Sequence, residues 1–468
     1  MANHAVTHTA IPGLVVVQLK LHEDSRGWFK EGWHRAALAE AGLPDLGPVQ
    51  HNTSYNLHRG TLRGIHAEPW DKFVSVTHGR AHGVWVDLRE GDNFGTAVRV
   101  DLEPTVAVYV PRGVGNAYQT LEDETTYEYL VNAHWSPEAR YVAVNPADPT
   151  IGVEWPIPLS EAILSEKDQS TPNLDAVTPM PRRRALILGA GGQVGRALSA
   201  KFPTAHAVTR EELDLADADA IASWPWENYD VVLNAAAWTG VDAAETDAGR
   251  LGAWKTNATA PALLAAEARR HDLTMVHFSS DYVYDGTVAE HREDEPVSPL
   301  GVYGQSKAAG DLAVMGAPRH YILRTSWVIG EGHNFVRTMM RLAGEGASPE
   351  VVSDQTGRLT FAHELARAAD HLLAHRAAYG VYHVSNDGPS RSWAEIARQV
   401  FTAAGRDASD VRETTTEEWT AAQGDRLVAP RPRHSTLDLA KLRATGFEPE
   451  PADQALGEFV SSELSLRP

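Results

Sequence analysis

Residues 185–195 read Ala185-Leu186-Ile187-Leu188-Gly189-Ala190-Gly191-Gly192-Gln193-Val194-Gly195. Four apolar residues predict a short buried strand, and the glycines after them predict a tight turn. Val194, Ala197, Leu198 and Phe202 then fall at helical spacing, so the stretch reads strand, glycine turn, helix. Gly189, Gly192 and Gly195 stand at GxxGxxG spacing, where missing side chains let backbone amides and a helix N-terminus approach a pyrophosphate. A glycine-rich turn without a ligand has the same spacing, but the strand before it and the helix after it favour a dinucleotide.

Outward from this stretch the chain divides in two. Downstream, apolar runs at 185–188, 231–236, 274–278 and 321–324 alternate with helical segments, which implies a parallel sheet covered on both faces. Upstream, short runs at 73–76, 84–88, 97–102 and 106–110 are broken by His78-Gly79, Gly91-Asp92-Asn93 and Pro111-Arg112-Gly113, which suggests an antiparallel sandwich or barrel. One helix is expected there, over 31–41, ending at Gly42. The Pro-rich and polar stretch 171–183 reads as an extended linker without a core, giving domains at 1–170 and 184–468.

The length of 468 residues agrees with two or three domains. A formal charge of -20 disfavours a sequence-independent grip on nucleic acid, so Arg182-Arg183-Arg184 reads as a solvated strand entry and no nucleic-acid partner is expected. The absence of cysteine excludes disulfides and thiolate chemistry. No apolar run approaches the length needed to span a bilayer and the first residues lack the pattern of an export signal, so the expectation is no membrane partner and a cytoplasmic location.

Tyr303 and Lys307 lie four residues apart, on one face of a predicted helix, where an ammonium can lower a phenol's pKa. Two solvated surface residues have the same spacing. Upstream, the 274–278 strand delivers Ser279-Ser280-Asp281 to a strand end, where ligands of open α/β sheets bind. With Asn234-Ala235-Ala236-Ala237-Trp238-Thr239-Gly240-Val241-Asp242, Ser279 to Tyr284, Arg324-Thr325-Ser326-Trp327 and Asp354-Gln355, residues 184–468 resemble dTDP-4-dehydrorhamnose reductase, an extended short-chain dehydrogenase. That resemblance implies a Rossmann-type doubly wound sheet with a small substrate-binding lobe. It implies that Tyr303 protonates the C4 oxygen as hydride reaches C4, that Lys307 holds the ribose and tunes Tyr303, and that Ser280, where the family has threonine, hydrogen-bonds the same oxygen. It places Gln193, Val194, Arg210, Asp214, Leu215, Ala235, Ala236 and Ala237 along the cofactor, and Asp281 and Trp327 on the substrate. Trp327 also reads as a core residue. Thr209-Arg210 could receive a 2′-phosphate, which favours NADPH, with NADH as the alternative.

In the upstream half, Leu62-Arg63-Gly64-Ile65-His66 follows Gln50-His51-Asn52 and Asp24-Ser25-Arg26-Gly27-Trp28-Phe29. A neutral imidazole beside Arg63 and Lys72 suits proton abstraction next to a carbonyl on an anionic substrate, although a structural histidine fits the same pattern. The cluster, with Val86-Asp87-Leu88-Arg89, Tyr129, Gly152-Val153-Glu154-Trp155-Pro156 and Leu164 to Asp168, resembles dTDP-4-dehydrorhamnose 3,5-epimerase, a metal-independent cupin-type jelly roll. By that resemblance His66 removes the proton beside the ketone, Asp168 orients the imidazole, and Tyr129 protonates from the opposite face. Arg26, Glu31, Gln50, Asn52, Arg63, Lys72 and Asn116 hold the sugar nucleotide, and the domain forms a homodimer. Three departures stand out: Asn116 in place of histidine, Gly83 in place of aspartate, and Arg140 near an expected glutamate. They favour an alternative in which this half is a catalytically poor binding or dimerisation module on an active reductase. No His-x-His pair with a following glutamate supplies clustered ligands, so no metal is expected. Together the two resemblances imply a bifunctional enzyme acting on a dTDP-4-keto-6-deoxy sugar.

Overall fold

The computed structural model describes residues 5–44, 46–137 and 139–465. The chain forms two compact units, Met1–Arg182 and Arg183–Pro468. Among the described residues, no helix is long and apolar enough to cross a membrane.

The first unit consists of β1 (Ala5–His8), β2 (Val15–Gln18), β3 (Leu21–Asp24), β4 (Gly27–Lys30), α1 (Arg35–Glu40), β5 (Gln50–Asn56), β6 (Leu62–Ala67), β7 (Lys72–His78), β8 (Ala81–Asp87), β9 (Ala97–Leu102), β10 (Val106–Val110), β11 (Val114–Thr120), β12 (Thr125–Val131) and β13 (Val142–Ala143). Its main sheets run β1-β2-β10-β7-β12-β5 and β13-β6-β11-β8-β9, antiparallel throughout, in a jelly-roll-like arrangement. Val74, Val76 and Val108 from one sheet meet Trp85, Val114 and Tyr118 from the other in a common core. Each such fully buried side chain contributes about 1.5–3 kcal/mol.

Two local expectations change. Helix α1 begins only after His34, whose Nδ1 accepts from the Ala37 amide, because residues 27–30 are taken up by the β3–β4 hairpin. The stretch read as a coreless linker also belongs to the first unit. Leu174 and Met180 are buried with Ile65, Val86 and Leu88, and the Leu174 amide donates to Asp148 Oδ2 at 2.7 Å.

The second unit is built on β14 (Arg184–Leu188), β15 (His206–Val208), β16 (Tyr229–Asn234), β17 (Thr274–Ser280), β18 (His320–Thr325) and β19 (Gly380–His383). These form one parallel sheet in the order β15-β14-β16-β17-β18-β19. Because side chains alternate across a sheet, Leu186, Val232, Met275 and Ile322 pack on one face with α3 (Ala260–Arg270). Ile187, Leu233, Val276 and Leu323 pack on the other face with α2 (Gln193–Lys201) and α5 (Ala362–Ala374). Between α3 and α5 in sequence comes α4 (Val302–Val314). A smaller core gathers Met340, Ile396, Val400 and Leu456 from helices later in the chain. The strand order reverses at β14, so a crevice opens between the ends of β14 and β16.

Candidate active sites

In the first unit, His66 near the end of β6 meets Asp168 on the short helix Glu166–Gln169, with Nε2 and Oδ1 2.7 Å apart. Asp168 is 4% exposed, and its amide donates to the capping Ser165 Oγ. A carboxylate only accepts, so neutral His66 carries its proton on Nε2 and keeps the Nδ1 lone pair free as a base. His66 lies opposite Asn116 on β11, Asn116 Oδ1 accepts from the Tyr127 hydroxyl at 2.9 Å, and the Tyr127 ring is 6.3 Å from that of Tyr129. These contacts lead from the imidazole to Tyr129 on the facing sheet. Burial, then the Glu68 charge, raises Tyr129, which keeps its phenol protonated and able to donate.

The other residues expected here divide. Lys72, buried and ion-paired with Glu68, sits 5.4 Å from the Tyr129 ring centroid. Arg63 donates to Asn56 Oδ1 at 3.1 Å, and Gln50 donates to Asn52 Oδ1 at 2.9 Å; Asn52 is the strand partner of Tyr129. Arg26 stands at the exposed β3–β4 turn, paired with Asp24, and Glu31 is exposed just beyond the hairpin. Arg140 is exposed and donates to the Pro179 carbonyl.

In the second unit the glycine turn lies where the strand order reverses. Gly189 has φ +76°, and a Cβ there would lie 2.7 Å from the Ala236 backbone. A Cβ on Gly195 would lie 2.1 Å from the Gly189 carbonyl oxygen. Both positions exclude a side chain so that loop and helix can close. Gly192 caps α2 without a side-chain hydrogen bond, leaving first-turn amides free for an anion, and Gln193 Oε1 is buried without a partner. Val194 is half-buried beneath the turn. Ala235, Ala236 and Ala237 follow β16 into the same crevice. Arg210 is exposed just past β15, 3.3 Å from Asp214, and free enough to meet a phosphate. Leu215 differs: it is buried in the core rather than facing the crevice. The turn, the uncapped helix and Arg210 fit a phosphorylated dinucleotide.

Ser280 closes β17, and its Oγ donates to Asp281 Oδ1 at 3.0 Å. Burial pushes Asp281 up to about 6. Tyr303 is in the first turn of α4, and the Glu245 carboxylate accepts from the Val302 amide beside it. The Tyr303 ring lies 5.6 Å from that of Tyr282. The expectation that Lys307 lowers Tyr303 is not met. Burial pushes the phenol up to about 12, the Ser280 hydroxyl beside it works against that rise, and Asp281 and Asp311 push it further. Lys307 Nζ instead donates to the Phe278 carbonyl at 2.6 Å. Trp327, with φ +46°, stacks on Trp393 at 3.7 Å, so one ring face is taken by the small core and only the other face and the edge could meet a ligand.

Sequence reasoning missed the groups behind and beside this site. Arg431 is paired with Asp242 at 2.8 Å and lies against Trp419, and its charge acts on Tyr282. Asp311, Arg324 and His277 lie behind Lys307. Asp311 had a local signal, its place one turn after Lys307. His363, Glu364 and Glu450 could also hold a metal ion by their spacing, although Glu364 is already bound to Arg367 and to the Glu450 amide.

Residues 183–464 match the family model described as the RmlD substrate binding domain, and residues 8–176 match dTDP-4-dehydrorhamnose 3,5-epimerase. The first unit is similar to the RmlC homolog of Streptococcus pyogenes, 40% identical over 177 residues, which are 36% of this chain and 89% of that protein. The second is similar to dTDP-4-dehydrorhamnose reductase of Streptomyces griseus, 36% identical over 58% of this chain and 91% of the relative. It is also similar to the crystal structure of the Bacillus anthracis reductase in complex with NADP, with a TM-score of 0.55 and 32% identity over 60% of this chain and 99% of that one.

Proposed function

The chain belongs to both of these families, one in each unit, and from that premise we propose that it is a bifunctional enzyme. It epimerises a dTDP-4-keto-6-deoxyglucose at C3, C5 or both, then reduces the C4 ketone to dTDP-L-rhamnose or a close 6-deoxy-L-sugar. The observation that carries the reading is that one polypeptide holds both the His66–Asp168 pair and the Ser280, Tyr303 and Lys307 group. The first unit is read as a cupin-type jelly roll that carries the epimerase and the second as a Rossmann-type domain with a substrate lobe that carries the reductase.

Epimerisation needs a base and an acid on opposite faces of one enolate. His66 Nδ1 takes the proton beside the ketone, Asp168 holds the imidazole in the Nε2–H tautomer and balances its charge, and Tyr129 returns a proton from the facing sheet. Arg26, Glu31, Gln50, Asn52, Arg63, Lys72 and Asn116 grip the sugar nucleotide.

In the second unit, Gly189, Gly192, Gly195, Gln193 and Val194 hold the pyrophosphate, Arg210 the 2′-phosphate, Asp214 the region beside it, and Ala235, Ala236 and Ala237 the nicotinamide half. NADPH, or NADH in its place, supplies the hydride for C4. Ser280 and Tyr303 hydrogen-bond the C4 oxygen, and the phenol, held protonated by burial, gives up its proton as alkoxide forms. Lys307 holds the ribose, while Asp281 and Trp327 border the sugar. The enzyme is read as a cytoplasmic homodimer joined through its first domain.

The order is chemically forced, because reduction removes the ketone that acidifies C3 and C5. A second reading, a catalytically poor first unit, draws on Gly83 and Asn116. The test is NMR analysis of the product from dTDP-4-keto-6-deoxyglucose and NADPH. A product inverted at C3, C5 or both supports the bifunctional reading; a product with both centres unchanged leaves only the reductase.

A further inference from the structure

Behind Tyr303, Lys307 adjoins a set of buried groups, Asp311, Arg324 and His277, to which the proposed chemistry gives no part. Helix α4 carries Lys307 and, one turn on, Asp311, 1% and 0% exposed, and side chains four apart on a helix are neighbours. Strand β18 brings Arg324, 2% exposed. Its Nε donates to Asp311 Oδ2 at 2.9 Å and its Nη1 donates to the Tyr284 hydroxyl at 2.6 Å. That hydroxyl is also 2.8 Å from His383 Nε2. Strand β17 brings His277. Its Nδ1 accepts from Asn234 Nδ2 at 3.1 Å, so its proton sits on Nε2, 3.9 Å from Asp311 Oδ1. Both Asp311 Oδ1 and His277 Nε2 lack a hydrogen-bond partner.

With Lys307, this set holds two cations and one anion. Arginine does not give up its proton in proteins, and a buried histidine is most stable neutral. Lys307 is therefore the group whose charge follows the local balance. Asp311 gives one oxygen to Arg324 and keeps the other uncommitted. We propose that Asp311 is a positioning residue: anchored by Arg324, it keeps the Lys307 ammonium charged in a place too dry to hold it alone, and so sets the pH range over which the site grips a dinucleotide. The inference rests on the reading of Lys307 as the ribose-holding group.

The charged and titratable groups that act on Lys307 or on its partner are Asp311 on its own helix, His277 on β17 and, paired with Asp311, Arg324 on β18, while the Phe278 carbonyl accepts from Nζ; Asp281, just past β17, acts on Tyr303 one turn before Lys307. Glu245 caps the helix start. Burial brings Lys307 down to about 8, and Asp311 is the charge that pulls it back up. Burial and then the Lys307 charge hold His277 well below its ordinary value, so it stays neutral.

The test is NADPH affinity, followed by nucleotide fluorescence across the neutral and alkaline range, in the full chain and in Asp311→Asn and Arg324→Gln, with thermal melting as the check of folding. In the unaltered chain affinity falls as pH rises through about 8. In Asp311→Asn the fall begins about one pH unit lower or more, which approaches tenfold weaker binding at pH values well above the original break, and Asp311→Glu restores it. In Arg324→Gln the break moves upward, because Asp311 then serves Lys307 alone. A structural role would weaken binding equally at every pH. Breaks that stay in place in both variants overturn the inference while leaving the reductase reading intact. If Asp311→Asn does not fold, the direction of the Arg324→Gln shift decides. An unaltered chain that does not bind NADPH overturns the underlying reading instead.

Discussion

His66 Nε2 lies 2.7 Å from Asp168 Oδ1 although 102 positions separate the two residues. The capped helix that carries Asp168 fixes the carboxylate, and the carboxylate in turn fixes which imidazole nitrogen is the base. Asp168→Asn would offer an N–H to Nε2 and drive the proton onto Nδ1, the wrong tautomer. Deuterium uptake by the keto sugar in heavy water, followed by proton NMR, should slow about 10²- to 10⁴-fold. Uptake at the original rate would remove Asp168 from this role.

Tyr303→Phe keeps the ring against Tyr282 but removes the proton donor. Ketone reduction should drop about 10²- to 10⁴-fold, with NADPH affinity nearly unchanged in a fluorescence titration. Because Tyr303 is pushed up to about 12 and Lys307 down to about 8, the alkaline loss of activity in the unaltered enzyme should follow Lys307. Both groups act protonated, so the rate falls as pH rises through about 8. A rate that holds until about 12 would contradict the assignment.

Asp281 is pushed up to about 6 by burial, against about 3.9 in an unfolded chain. The folded state thus binds a proton that the unfolded state has released, and stability falls as pH rises through this window. Above it the cost is roughly 3 kcal/mol. Asp281→Asn removes that dependence. Calorimetry should show the variant's second unit melting higher at neutral pH and converging with the parent in acid, at the expense of sugar reduction. Parallel melting curves at all pH values would refute this.

A Cβ on Gly83 would lie 2.4 Å from the buried Trp85 ring, so tryptophan fills the space beside this position. Gly83→Ala should destabilise the first unit by about 1–3 kcal/mol through overpacking. Trp85→Phe, with a shorter ring, should relieve part of that cost. A double-mutant cycle read by denaturant unfolding should therefore show coupling of about 0.5–3 kcal/mol; additive effects would contradict the contact.

The legible parts of the sequence were those whose physics is local. The glycine turn, the alternating apolar runs and the four-residue spacing of Tyr303 and Lys307 lie in short windows where period and turn chemistry speak directly. The His66–Asp168 pair became readable only through family resemblance, since no local pattern links positions so far apart. Leu174 and Met180 were hidden by the prolines around them, which signal an extended chain but not what it lies on. The effect of Lys307 on Tyr303 was misjudged because spacing does not reveal that the ammonium is drawn to the Phe278 carbonyl or that burial dominates the phenol. Asp311, Arg324 and His277 come from a helix and two strands, so their meeting is a property of the packed sheet.

The most direct test of two chemistries on one ketone is to run the whole chain in heavy water with dTDP-4-keto-6-deoxyglucose and NADPH, and to map deuterium in the reduced sugar. The account predicts a reduced 6-deoxy sugar nucleotide with deuterium at C3, C5 or both, L-configured where C5 is inverted, and the cofactor's protium at C4. A reduced product with protium at both C3 and C5 would contradict it.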